Sequence, residues 1–142
     1  MRLRSILISV MIGISVCLFA CSAALEQVSS LEISFDDFQI TKNITKELEV
    51  RVGDTFTVSL FSNPTTGFKW PDLGKIADET ILKQVDHEYE APDSDIPGAG
   101  GKEYWTFEAL KEGKTTISME YNQPWEGGIK AEWTFGLTVS VK

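Results

Sequence analysis

The chain is short of the residues that staple small domains or hold metals. Its 142 residues include two cysteines and one histidine. Neither a disulfide-dense scaffold nor a multi-histidine metal centre can be built from that inventory. Basic residues are scarce as well: 13 Lys and Arg stand against 21 Asp and Glu, a formal net charge of −8. Such a balance excludes a nucleic-acid binder, which must neutralise phosphates. Long apolar runs are confined to the N-terminus, and no segment keeps a helical period; only a short turn is expected around residues 72–77. No cofactor is expected.

What is present begins with an export signal. Arg2 and Arg4 precede an apolar stretch from Ile6 to Phe19. A basic start followed by an apolar run too short to span a bilayer comfortably reads as a secretory signal. Leu18-Phe19-Ala20-Cys21 resembles a bacterial lipobox. Residues 1–20 would then be removed, and the Cys21 thiol would carry a lipid. Each methylene buried in a bilayer contributes about 0.8 kcal/mol. The expected location is the cell envelope, on a membrane surface, or outside the cell if the lipobox is not used. Two alternatives are an uncleaved anchor and ordinary cleavage near Ala23 or Ala24. Residues 21–30 read as a tether, and residues 31–142 as one domain.

The body of that domain alternates with period two. Leu31, Ile33 and Phe35 are spaced this way, as are Leu48, Val50 and Val52, then Phe56, Val58 and Leu60. Val85 to Tyr89 is a weaker case. Trp105, Phe107 and Ala109 repeat the pattern, then Ile117, Met119 and Tyr121, and finally Ala131 through Val141. Alternation puts one face on a core and the other in water. Many short strands of this kind predict an all-β, antiparallel β-sandwich. The expected strands after the first pairs are residues 55–62, a strand from Phe68, then 80–90, 103–110, 114–121 and 131–141.

If successive strands run antiparallel, alternate links emerge at the same end. One end then carries Asn63-Pro64-Thr65-Thr66-Gly67, the stretch 91–102 with Gly98-Ala99-Gly100-Gly101, and the stretch 122–130 with Gln123-Pro124-Trp125. These will be called the first, second and third loops. Each alone is ordinary turn chemistry, since Pro presets φ and Gly accepts positive φ. Together at one end they form a binding surface on a rigid scaffold.

Asn63-Pro64-Thr65-Thr66-Gly67-Phe68, the Gly-rich loop ending Gly100-Gly101, and Pro124-Trp125 resemble the three signatures of the chagasin family, inhibitors of papain-like cysteine peptidases. The resemblance covers about residues 31–142. It implies an immunoglobulin-like sandwich whose three loops form a wedge in the peptidase cleft. Thr65 and Thr66 would sit beside the catalytic cysteine, with Asn63, Pro64 and Gly67 shaping the loop and Phe68 supporting it or touching the cleft. Gly98, Gly100 and Gly101 would line one side. Trp125, fixed by Pro124, would pack on the other side. The family often has a basic residue before Pro-Trp, where this chain has Gln123.

The implied activity is reversible, competitive, non-covalent inhibition by a monomer. An enzyme is the rival class and finds little support. His87 lies in an expected strand, Cys21 would be the sole mature thiol, and Asp93 and Asp95 lack a calcium-loop pattern. The stronger alternative is a lipid-anchored immunoglobulin-like module that binds glycans or envelope proteins without inhibiting anything, because one fold hosts many functions.

Overall fold

A computed structural model describes residues 29–142. The export signal, Cys21 and most of the tether lie outside the described residues. The strands are β1 (Ser29–Ile33), β2 (Asn43–Val50), β3 (Thr55–Ser62), β4 (Lys75–Ile76), β5 (Leu82–Glu90), β6 (Gly101–Ala109), β7 (Gly113–Tyr121) and β8 (Trp133–Val141), with a helix α1 (Phe35–Ile40) between β1 and β2. They form two four-stranded sheets in the orders β1-β3-β6-β5 and β2-β8-β7-β4. This is an immunoglobulin-like sandwich.

Most of the alternating residues do what their spacing predicts; Val52 and Ala131 do not, since they lie just outside β2 and β8 and are exposed. Phe56, Val58 and Leu60 of β3, Trp105 and Phe107 of β6, Ile117 and Met119 of β7, and Phe135, Leu137 and Val139 of β8 are all but fully buried. Burying one such side chain contributes about 1.5–3 kcal/mol. A core of this size explains how the domain dispenses with disulfides.

The pairing departs from the antiparallel expectation at one side of the sandwich. β1 runs parallel to β3, with Ile33 opposite Leu60, and β2 runs parallel to β8, with Val50 opposite Val141. The chain climbs beside β3, crosses between sheets through α1, and descends beside β8. Alternation reports which face is buried; it does not report the neighbouring strand or its direction, so the sheets are mixed. Ser29 and Ser30, read from sequence as tether, already pair with Phe56 and Thr57.

Phe35 does not continue the β1 alternation; it opens α1. Ser34 caps that helix, its Oγ accepting from the Asp37 N–H while Asp37 accepts from the Ser34 N–H at 2.8 Å. The Ser34 hydroxyl bond, then the backbone bond, hold the Asp37 carboxyl below its ordinary value. The strand expected from Phe68 shrinks to one bridge, Lys69 to Asn122, and the two residues of β4. Between them Trp70 turns into the core and its indole donates to the Phe61 carbonyl at 2.9 Å.

In β5 the register shifts between Gln84 and Asp86, so Val85 is left exposed and His87 sits opposite Trp105. The imidazole stacks on that indole, with centroids 5.1 Å apart, and its Nε2 lies 2.9 Å from Glu103. It is a packed side chain.

Phe107 is wholly enclosed and stacks on Phe56 at 5.3 Å. Phe107→Ala is expected to cost about 3–5 kcal/mol, the price of deleting a buried aromatic. Urea unfolding with an unchanged m-value checks this; a loss under 1 kcal/mol would contradict the assigned core.

Candidate functional site

The three loops do emerge together. Ser62 at the end of β3 faces Gly101 at the start of β6, and Tyr121 at the end of β7 faces Trp133 at the start of β8. The links that leave these ends therefore share one pole, and Asn63 connects them. Its backbone N–H donates to Tyr121 Oη at 2.8 Å, below the third loop. Its side-chain Nδ2 donates to the Gly98 carbonyl at 2.8 Å, in the second loop. Its Oδ1 accepts from the Thr65 hydroxyl at 2.6 Å, and its carbonyl accepts from the Thr66 hydroxyl at 2.7 Å.

Within the first loop, Pro64–Thr66 form one 3-10 turn, closed by Gly67 in the left-handed region at φ 79°. The Thr66 and Gly67 N–H groups donate back to the Asn63 and Pro64 carbonyls, each at 3.1 Å. Pro64, Thr65 and Thr66 are exposed at the tip. Phe68 is half-buried and stacks on Tyr121 at 5.4 Å, which makes it a support of the loop.

The second loop is organised by the turn Ile96-Pro97-Gly98-Ala99, where the Ala99 N–H donates to the Ile96 carbonyl at 3.1 Å and Gly98 has φ 82°. Pro followed by Gly with positive φ is type II chemistry. Gly100 lies against the Phe61 ring. Gly101 is buried, and a Cβ there would stand 2.1 Å from the Glu90 carbonyl oxygen. The sandwich itself thus requires a missing side chain at Gly101.

The third loop is closed by the Gln123 N–H donating to the Ile129 carbonyl at 2.8 Å and the Ile129 N–H donating to Gln123 Oε1 at 2.9 Å. The Gln123 side-chain oxygen is therefore spent inside the loop. Pro124 is exposed and Trp125 is 50% exposed, its ring lying on Gly67, where an added Cβ would come within 2.6 Å of Cη2. The first and third loops touch through this contact.

Beneath the loops lies an aromatic floor. Trp133 stacks between Phe38, at 4.8 Å, and Tyr121, at 4.9 Å. Burial pushes the Tyr121 hydroxyl up from its ordinary value, so it stays protonated, and the Asn63 N–H, Thr66 and Ser62 surround it. Ser62 in turn donates to Glu103 at 2.6 Å, which gives that buried carboxylate a partner. The pole offers hydroxyls, main chain and apolar surface, a set suited to docking.

Three surface residues of this pole were given no site role from sequence. Ile96, 72% exposed, stands at the corner of the second loop. Its signal was an apolar residue stranded in Asp95-Ile96-Pro97. Phe35 and Ile129 help line a pocket of about 380 Å³ with Phe61, Thr66, Phe68 and Trp133, beside the first loop. Phe35, read from sequence as a strand residue, reaches this pole because α1 carries the sheet crossing, and Ile129 lies in the third loop, where its N–H donates to Gln123 Oε1.

A family model described as the chagasin family of peptidase inhibitors matches residues 49–139. Chagasin of Trypanosoma cruzi is 37% identical over 82 residues, covering 56% of this chain and 74% of its own length. The crystal structure of the cysteine protease inhibitor EhICP2 from Entamoeba histolytica superposes with a TM-score of 0.61 at 20% identity, over 82% of this chain and 98% of that one. The structure of PbICP-C in complex with falcipain-2 matches with a TM-score of 0.50 at 16% identity, over 80% and 98%. The two superpositions speak for a shared fold. The relatives that sequence identifies are peptidase inhibitors, a class distinct from enzymes.

Asn63→Asp keeps the acceptor for Thr65 and replaces the donor to Gly98 with a second oxygen. It is expected to free the second loop while leaving the sandwich folded, because an ionised carboxylate has no proton to donate to the Gly98 carbonyl. Faster hydrogen exchange at Ala99, with an unchanged rate in β6, checks it; equal rates in both proteins would remove Asn63 as the tie.

Proposed function

Because the chain belongs to the chagasin family of peptidase inhibitors, we propose that the loop-bearing pole inhibits a papain-like cysteine peptidase by filling its active-site cleft, reversibly, competitively and without a covalent step. One observation carries the reading. Thr65 and Thr66 stand exposed on a turn held by Asn63, with Trp125 against one flank and the Ile96–Ala99 turn tied to the other. A relative of the same fold is seen in complex with falcipain-2.

The geometry accounts for blocking without being cut. Peptide chains that pair with a cleft do so extended, with free N–H and C=O groups. Here the N–H groups of Thr66 and Gly67 are already bonded back to their own turn. The tip fills space beside a nucleophile without presenting an extended scissile bond. Pro64 and the branched threonines are stiff before contact, so little freedom is lost on docking. Trp125 adds a large rigid apolar surface, the residue type that most often dominates an interface. Ile96 presents an apolar side chain on the opposite flank.

On the same reading the inhibitor is exported and fastened by lipid at Cys21. The mature polypeptide is expected to begin with a diacylglyceryl-modified Cys21, and Cys21→Ser to stay unmodified. Intact-mass measurement of the membrane fraction checks this, and an unmodified mature N-terminus elsewhere in the wild-type protein would overturn it.

Titration of papain with a soluble chain starting at residue 22 tests the inhibitor itself. Stoichiometric loss of peptidase activity is expected; no loss at micromolar concentration would leave an immunoglobulin-like module of another kind. Trp125→Ala is expected to weaken inhibition by about 2–4 kcal/mol with no change in unfolding midpoint. Thr66→Arg should abolish it, since the cleft would receive extra bulk and an unpaired charge. Full inhibition by either variant would remove its loop from the cleft.

A further inference from the structure

Lys130 follows the third loop, is exposed, and folds back across it. Its Nζ donates to the Gln123 carbonyl and to the Trp125 carbonyl, the latter at 3.1 Å. These two acceptors bracket Pro124. The Trp125 carbonyl also accepts the Gly128 N–H at 3.2 Å, which completes a small ring of bonds under the indole. One ammonium, with three donors, thus ties the rung that closes the loop to the residue at its tip.

The next residue fixes the backbone just beyond Lys130. Ala131 lies in the left-handed region at φ 50°, the one positive φ at a non-glycine residue among the described residues. An L-residue there costs about 1–2 kcal/mol. The strain is held by the Ala131 N–H donating to Asn122 Oδ1 at 2.5 Å. This turn joins the third loop to β8 directly after Lys130.

We propose that Lys130 is a positioning residue for Trp125: its ammonium bridges the carbonyls on either side of Pro124 and holds the indole on Gly67. Charged donors make the stronger hydrogen bonds, so one side chain suffices to order this short stretch. The consequence for binding rests on the inhibitor reading, whereas the positioning itself does not.

Fluorescence separates the two. Trp70, Trp105 and Trp133 are 2%, 0% and 7% exposed, against 50% for Trp125. Quenching by neutral acrylamide therefore reports Trp125, and the Trp125→Phe variant gives the background. Lys130→Met is expected to raise the acrylamide quenching constant about twofold with an unchanged urea midpoint. Lys130→Arg, which keeps a charged donor, is expected to match the wild type. An unchanged constant in Lys130→Met, or an equal rise in Lys130→Arg, overturns the proposal.

Against papain, Lys130→Met is expected to weaken inhibition about tenfold, through faster dissociation. In a Trp125→Ala background the same substitution is expected to add nothing. A full tenfold penalty in that background would show Lys130 acting on the peptidase by itself, and the proposal would fall. If the wild-type chain does not inhibit papain, the inhibitor reading fails while the quenching comparison still decides the role of Lys130.

Discussion

The backbone and amide of Asn63 hold three separate stretches of chain in one arrangement. The backbone reaches the strand below the third loop, Nδ2 reaches the second loop, and Oδ1 closes the first. Each bond is modest by itself, about 0.5–1.5 kcal/mol net. Their effect is geometric. With Asn63 in place the exposed threonines have one position relative to Trp125 and the Ile96 corner. Without it the first loop would lose its ties to the second loop and to Tyr121, and more conformational freedom would be lost on contact with a partner.

That tie works because its surroundings are stiff. Tyr121 can accept the Asn63 N–H at a fixed point because its ring is stacked on Trp133, itself stacked on Phe38. The aromatic floor is in turn the upper layer of a core that runs down both sheets. Packing of this density transmits position well, since side chains have few alternative rotamers. The polar pair Ser62 and Glu103 beneath the first loop is bonded within itself and to His87, and among the described residues no buried side-chain nitrogen or oxygen is without a partner. No cysteine follows Cys21 in the sequence, so core packing and the Asn63 hydrogen bonds supply the rigidity from core to tip without a disulfide.

The parts of this structure that were legible in the sequence share a physical basis. β3, β6, β7 and β8 are long strands buried on one face, so period two marks them directly. The first loop was legible because Pro and Gly at fixed offsets dictate a turn, and Asn before them caps it. The remainder lies where no period exists. α1 has six residues, too few to display a helical repeat, and the capping pair Ser34 and Asp37 was its only local sign. Parallel pairing of β1 and β2 depends on where the chain crosses between sheets, which side-chain alternation does not encode. The role of Lys130 was invisible for a related reason: its partners are main-chain carbonyls, and carbonyls leave no trace in residue type.

The parallel register of β1 on β3 sets how the molecule can be mounted. Because β3 ends at the loops and β1 runs beside it in the same direction, Ser29 enters at the opposite end. β8 starts at the loops and finishes with Val141 at that same far end. Both attachment points therefore sit at the rear. A bead or a fused protein joined next to Ser29 or Lys142 would meet the domain at the pole opposite Thr66 and Trp125, which leaves the loops free of the join.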